Sequence, residues 1–531
     1  MTPRSPASKR RMGNKDRSDK RRSSVILVIL RVISYILSLF GILLTVSLEW
    51  LKTTWGPVSF STALFQLKTP MVGVDTNVVR TYVTEIAMPA VLKTLGAIIL
   101  LCVIAEAMKV TGYSLKLGAG RKCRPLDITY RPVLAVGTVA ILIICWCRLP
   151  ALAKQTGVPD YVDSLINRST IYEEYYVVPE ESIIHFPEQR RNLIMIYAES
   201  IETTYASVEE GGGKPVSLIP NLRALAGDNI SFSDDDGFGG ATQTQNIGWT
   251  MAALLSSTSG ATYNLPIDTN DMQSYSTFLP GLITIGDVLY DNGYDNYFAC
   301  GSDVSFGGRR AYFNDHGSYV LQDYCYALES GYLPEGYHNG FWGMEDVRLF
   351  EMAKAELTAI AQGGRPFNYT ILTADTHPPE GYVCDQCDPR DGEPPLETAI
   401  RCSDRTIASF IDWAEEQDWY DNTTIVVVGD HLLMSESIFG DIPEGYQRHV
   451  YNCFINVCPG LAPVNCHNRV FSTTDYFPTV LASIGVQIDG DRLGLGTNLF
   501  SDRQTLLEEL GQDTYNTEVL RHSEYYFNNF V

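Results

Sequence analysis

The sequence predicts an α/β chain in two parts: amino-terminal transmembrane helices, followed by a doubly wound, mainly parallel sheet domain. Three observations predict it. Charge is split unevenly over the 531 residues, with 21 Lys/Arg against 7 Asp/Glu in residues 1–150 and 19 against 55 in the remainder, which implies two environments. Three long apolar runs lie in the basic part. Beyond about residue 190, short β-branched runs alternate with amphipathic stretches, the pattern of helices covering a parallel sheet. A chain of this length also exceeds one ordinary core.

The apolar runs are "SSVILVILRVISYILSLFGILLTVSLEW" (23–50), "AMPAVLKTLGAIILLCVIAEAMKV" (87–110) and "RPVLAVGTVAILIICWCRLPALA" (131–153). Each is long enough to cross a hydrocarbon core of about 30 Å as a helix. Arg31, Lys93 and Glu106 sit towards span ends, where long side chains reach the interface. A cleaved signal peptide has a shorter, unrepeated apolar region. Basic residues before span one (Arg10, Arg11, Arg17, Lys20, Arg21, Arg22) and between spans two and three (Lys116, Arg121, Lys122, Arg124) place both segments in the cytoplasm by the positive-inside bias. Three spans then put the rest outside. The expected organisation is a basic cytoplasmic tail (1–22), three transmembrane helices with their loops (23–153), a juxtamembrane connector (154–190) and an extracytoplasmic catalytic domain (191–531). A basic run beside a membrane span is not read as a nucleic-acid site.

Eight cysteines fall in the outer part: Cys300, Cys325, Cys384, Cys387, Cys402, Cys453, Cys458 and Cys466. An even number in an oxidising compartment is read first as disulfides, with connectivity open. The alternative for Cys384, Cys387 and Cys402 is a structural zinc clip, although a fourth thiolate at zinc-finger spacing is missing.

Strands are expected within "NLIMIYAES" (192–200), 283–303, "PFNYTILTADTH" (366–377) and "TTIVVVGDHLLM" (423–434), and helices at 214–226, 250–258, 343–361, 397–417 and 473–484. The residues directly after the apolar runs carry the chemistry. Glu199 and Ser200 come after the first, Asp375, Thr376 and His377 after the third, Asp430 and His431 after the fourth. Strand carboxyl ends share one edge of a parallel sheet, and ligands bind there. Glu199, Asp430 and His431 make a hard oxygen and nitrogen donor set suited to Mn²⁺, Zn²⁺ or Mg²⁺. Taken singly, such residues are most often solvated loop ends or capping turns.

A nucleophile is needed beside such a set, because a hydroxyl attacks at neutral pH only when a metal or base activates it. Thr250 stands where "GW" gives way to the helix-prone "MAALLSS", at a helix start that favours anions. Its plain alternative is an N-cap worth about 1 kcal/mol, and Thr242 and Thr244 stay in contention.

Six blocks, "NLIMIYAES", "GWTMAALLSSTSG", "FACGSDVSFGGRRAYFNDHG", "YTILTADTHPPEGYVCDQC", "IVVVGDHLLM" and "TTDYFPTVLASIG", occur in an order that resembles the membrane-anchored phosphoglycerol transferases and, more distantly, the lipoteichoic acid synthases. These belong to the sulfatase and alkaline phosphatase superfamily. The resemblance covers roughly residues 190–490. It implies a sulfatase-like sheet domain with metal ligands at Glu199, Thr250, Asp430 and His431, Thr250 also being the nucleophile. It places substrate contacts at Arg309, with Arg310 the neighbouring alternative, and at His377. The bottom-up reading of both agrees. Arg309 offers a planar fork matched to phosphate oxygens, and His377, held before Pro378-Pro379, offers a hydrogen bond or a general acid. Asp303 and His316 are expected to be structural. One divalent ion, Mn²⁺ first, is implied. A type I sulfatase needs Cys or Ser where Thr250 stands, which counts against sulfate-ester hydrolysis.

The resemblance implies a two-step transfer of phosphoglycerol. The group moves from phosphatidylglycerol onto Thr250, then to a surface glycan or growing glycerolphosphate polymer, at the membrane and without nucleic acid. Rival readings are a phosphoethanolamine transferase, a phosphodiester or sulfate-ester hydrolase, and an inactive surface-binding protein.

Overall fold

The computed structural model describes residues 7–55, 80–117, 126–155, 157–264, 277–435 and 438–531. The chain divides into two units, residues 1–52 with 76–156 and residues 53–75 with 157–531. In the first, three segments are long and apolar enough to cross a membrane: Val25–Trp50 within α1 (Ala7–Trp55), Tyr82–Thr111, which ends with α2 (Met88–Thr111), and Tyr130–Gln155, which begins with α3 (Tyr130–Trp146). Their packing relies on absent side chains. A Cβ on Gly41 would stand 2.2 Å from the Trp146 indole, and one on Gly137 2.4 Å from the Leu101 side chain, the close approach that small residues give helices in lipid. Thr45 donates its hydroxyl to the Cys145 carbonyl at 3.0 Å.

The second unit is built on a six-stranded sheet: β1 (Asn192–Ala198), β2 (Asp295–Cys300), β3 (Val320–Gln322), β4 (Phe367–Leu372), β5 (Thr423–Gly429) and β6 (Asn452–Ile455). The strand order is β3-β2-β4-β1-β5-β6. All neighbours pair parallel except β5 and β6, which pair antiparallel. Every residue of β1 is buried, as expected of a strand covered on both faces. Its side chains divide with period two. Leu193, Met195 and Tyr197 join one core with Leu254 and Val480, while Ile194 and Ile196 join the other with Leu349 and Phe410. The helices behind these residues are α4 (Thr250–Ser259), α5 (Arg309–Asp315), α6 (Asp346–Ala361), α7 (Pro395–Glu415) and α8 (Tyr476–Ser483). The result is an α/β domain with a mixed, mostly parallel sheet covered on both faces, following three apolar helices in the sequence.

Several expectations need correction. The helix expected at 214–226 spans Pro220–Asp228, because the buried Lys214 amine is drawn to Glu397 and Asp441 at 2.9 Å each and Pro220 is suited to the first helical turn. The strand expected within 283–303 is β2, Asp295–Cys300, and a helix not expected there, Ile285–Asp291, precedes it. Part of the expected connector belongs to the second unit's core: Ile171 and Tyr172 are buried, with the Tyr172 hydroxyl 3.0 Å from Thr262 Oγ1. The eight outer cysteines are all free. Cys300 and Cys453 lie in the cores on opposite faces of the sheet, so neither meets the other.

Gly429 ends β5 directly before Asp430, and a Cβ there would stand 1.9 Å from the Ile201 carbonyl oxygen. Gly429→Ala is expected to cost about 1–3 kcal/mol and to lower the melting temperature of the detergent-solubilised protein. An unchanged melting temperature would contradict this close packing.

Candidate active site

Parallel register assembles the site. Tyr197 pairs with Leu372 and Val428, and Ala198 with Gly429, so the chain leaves three adjacent strands at one edge. Glu199, Asp430 and His431 emerge there, fully buried, with ligand atoms all within 4.8 Å of one another. His431 Nε2 lies 3.3 Å from Asp430 Oδ2 and 3.6 Å from Glu199 Oε1. Its Nδ1 faces the Leu432 carbonyl at 2.9 Å, which makes Nδ1 the donor and turns the Nε2 lone pair into the site.

Thr250 is the first residue of α4. Trp249 holds the N-cap position and makes no side-chain cap, so the plain capping role does not apply to Thr250. Its hydroxyl donates to Glu199 Oε2 at 3.2 Å and stands 3.5 Å from His431 Nε2. Thr242 and Thr244 are buried in the preceding loop and are not solvated residues of a flexible approach. Between them, Gln243 accepts the Leu432 N–H at 2.7 Å, tying that loop to the chain after His431.

Ser200, noted in the sequence beside Glu199 but given no role there, organises both carboxylates. Its N–H donates to Asp430 Oδ1 and its hydroxyl to Glu199 Oε1, each at 2.8 Å, from a left-handed backbone with φ 53°. Non-glycine residues hold that conformation at a cost of about 1–3 kcal/mol. The Glu199 N–H donates to Thr373 Oγ1 at 2.9 Å, and the Thr376 hydroxyl donates to the Glu199 carbonyl. A serine after a strand-end acid carries no periodic or compositional signal.

The electrostatics ask for a cation. Burial, with the Glu199 charge beside it, pushes Asp430 up to about 7. Burial pulls the His431 imidazolium down, but the Asp430 and Glu199 carboxylates outweigh it and raise His431. Asp430 Oδ2 is buried without a hydrogen-bond partner among the described residues. Two carboxylates, an imidazole nitrogen and a hydroxyl around an orphaned buried oxygen fit a divalent ion.

Arg309 and His377 meet across aromatic rings. The buried Arg309 donates to Phe306 O at 2.9 Å, Ser302 Oγ at 3.0 Å and Asp303 O at 3.2 Å, with its guanidinium 5.5 Å from the Phe306 ring centre. Phe306 packs on Trp342, and Trp342 on His377, with centroids 5.0 Å apart in both pairs. Arg310 points elsewhere, its half-exposed side chain bonding Ser305 and Asp323. His316 is buried between Asp287 and the Phe278 carbonyl, and Asp303 accepts the Ser305 N–H at 2.8 Å; both contacts are local and structural. A cleft lined by Arg190, Asn192, Arg365 and Trp419 opens at the amino ends of the strands, opposite the edge where parallel sheets bind ligands.

A family model for sulfatases matches residues 191–486. The chain belongs to the sulfatase family. Among curated relatives of this sulfatase-family chain, phosphoglycerol transferase I of Xanthomonas axonopodis pv. citri (strain 306) is 32% identical over 312 residues, 57% of this chain and 42% of that protein. Phosphoglycerol transferase I of Escherichia coli O139:H28 (strain E24377A / ETEC) is 30% identical over 273 residues, 50% of this chain and 34% of that protein. The chain thus spans less than half the length of these relatives. Among solved structures, the lipoteichoic acid synthase LtaP from Listeria monocytogenes has a TM-score of 0.46 at 18% identity, covering 62% of this chain and 80% of its own.

Beside this sulfatase-family site lies a buried acid pair that residue order does not reveal. Asp346, at the start of α6, accepts the N–H groups of Ala374 and Asp375 at 2.8 and 3.1 Å, and Asp375 accepts the Asp346 N–H at 3.0 Å. Burial pushes Asp346 up to about 7, and burial with the Asp346 charge raises Asp375 well above the carboxylate range. The folded pair therefore keeps protons that the unfolded chain releases above pH ~4, and stability falls as pH rises through about 7. Melting temperatures of wild type and Asp375→Asn, compared from pH 5 to 8, are expected to diverge in the variant's favour as pH rises. Parallel curves would show that the pair holds no such proton.

Proposed function

We propose that this sulfatase-family protein is a membrane-bound, metal-dependent phosphotransferase that moves phosphoglycerol from phosphatidylglycerol to a surface glycan or glycerolphosphate polymer. Thr250 carries the group between the two steps. The observation that carries this reading is the Thr250 hydroxyl, 3.2 Å from Glu199 Oε2 and 3.5 Å from His431 Nε2 at the strand-end edge. The names of the curated relatives and the three apolar helices support it.

In the first step the Thr250 oxygen bonds to phosphorus, the bond from phosphorus to the diacylglycerol oxygen breaks, and the hydroxyl proton leaves towards Glu199 Oε2. In the second, an acceptor hydroxyl gives its proton to His377, which lost one to the diacylglycerol oxygen, and bonds to phosphorus, while the bond to Thr250 breaks and Glu199 returns its proton to the Thr250 oxygen. Glu199, Asp430, His431 and Thr250 would hold the divalent ion, Mn²⁺ first. When bound, it supplies charge stabilisation for phosphoryl oxygens and a lower pKa for the hydroxyl. Arg309, fixed by three hydrogen bonds, presents its remaining donor edge to phosphate oxygens. His377, oriented by Trp342, donates a proton to the leaving oxygen. The spans fix the chain to the membrane that holds the donor lipid. The basic segments at 10–22 and 116–124 put the amino terminus in the cytoplasm and the catalytic domain outside.

The test is full-length protein in vesicles containing phosphatidylglycerol labelled in the glycerol head group, with Mn²⁺, followed by peptide mass spectrometry. Label is expected on the peptide containing Thr250. Thr250→Ala is expected to lower transfer by more than about 10³-fold while leaving the melting temperature within about 1 kcal/mol of wild type in stability, since the hydroxyl caps nothing. Undiminished labelling in the variant overturns the nucleophile. Labelling by phosphatidylethanolamine in preference to phosphatidylglycerol overturns the head group.

A further inference from the structure

The chain that leaves His377 turns back on itself: Gly381 N–H donates to the His377 carbonyl at 3.1 Å and Tyr382 N–H to the Asp375 carbonyl at 2.7 Å. It then delivers Cys384 and Cys387 to Cys402 on α7. The Cys384 sulfur lies 3.4 Å from that of Cys387 and 3.9 Å from that of Cys402, and all three lie within 4.8 Å of one another.

We propose that Cys384, Cys387 and Cys402 form a thiolate site for a soft tetrahedral metal ion of the zinc type, which staples the His377 loop to α7. Three observations carry it. A tetrahedral ion with Zn–S bonds of about 2.3 Å holds its sulfurs about 3.8 Å apart, and the observed separations bracket that value; a disulfide needs about 2.05 Å. A disulfide uses two sulfurs and strands the third against it, whereas a metal uses all three. Arg405, one turn after Cys402 on α7, brings positive charge to the cluster, whereas Arg401 is already paired with Glu393 at 2.6 Å. The fourth position is left to water. The inference is independent of the phosphotransferase reading, since it rests on the sulfurs and not on the Glu199 set.

The test uses full-length protein purified under reducing conditions, stripped with chelator and titrated with Co²⁺ alone. A near-ultraviolet thiolate-to-cobalt band is expected to saturate at a single equivalent, to be bleached by Zn²⁺, to vanish in Cys384→Ser and Cys402→Ser, and to persist in Asp430→Asn. Thiolate charge transfer separates this ion from one held by carboxylates. Absence of the band in the wild type, or its survival in Cys402→Ser, overturns the proposal. So does a disulfide between two of the three cysteines in protein isolated without reductant and holding no zinc.

Discussion

The parallel register of β1 between β4 and β5 is the constraint on which the site depends. Pairing from Asn192 to Ala198 against β5 and from Leu193 to Tyr197 against β4 fixes where three strands end, to within one residue. A slip of a single residue would turn Leu193, Met195 and Tyr197 into the opposite core and carry Glu199 out of reach of Asp430. The apolar packing on the two faces therefore holds the polar residues at the edge.

That edge gathers charge that a protein interior does not accept unaided. Glu199 and Asp430 face each other in the same buried space with one imidazole, and two more carboxyls lie beside them, Asp346 at the start of α6 and Asp375 on the loop after β4. Bringing carboxylates into a low-dielectric interior costs several kcal/mol per charge unless a cation or proton accompanies them. Ser200 adds to the cost through its left-handed backbone. Such an arrangement persists because the surrounding sheet and helices over-determine it, and a dication bound there would offset much of what the fold gives up.

Much of this geometry was readable from residue order. Continuous apolar runs ending in Glu199, Asp375 or Asp430 marked both the strands and their carboxyl edge, and the helix at Thr250 began where the polar run turned apolar. β3 and β6, of three and four residues, are too short for periodicity to register, and the antiparallel edge leaves no mark on composition. Lys214 was hidden because its ion pairs join residues about 180 and 230 positions apart, a separation that local patterns do not encode. The free cysteines were misjudged for the same reason: parity counts thiols, whereas the sheet decides which ones meet. Phe306 and Trp342, which link Arg309 to His377, are ordinary aromatics until the fold stacks them.

Every residue of α4 after Thr250, from Met251 to Ser259, is buried. A hydroxyl mounted on the end of such a rod has no arc through which to swing between a donor pocket and an acceptor pocket. On the proposed mechanism both substrates must come to one fixed point in space, so the lipid product has to vacate it before the acceptor enters. The burial of one short helix thereby sets a strict turn-taking order on the two partners of the reaction.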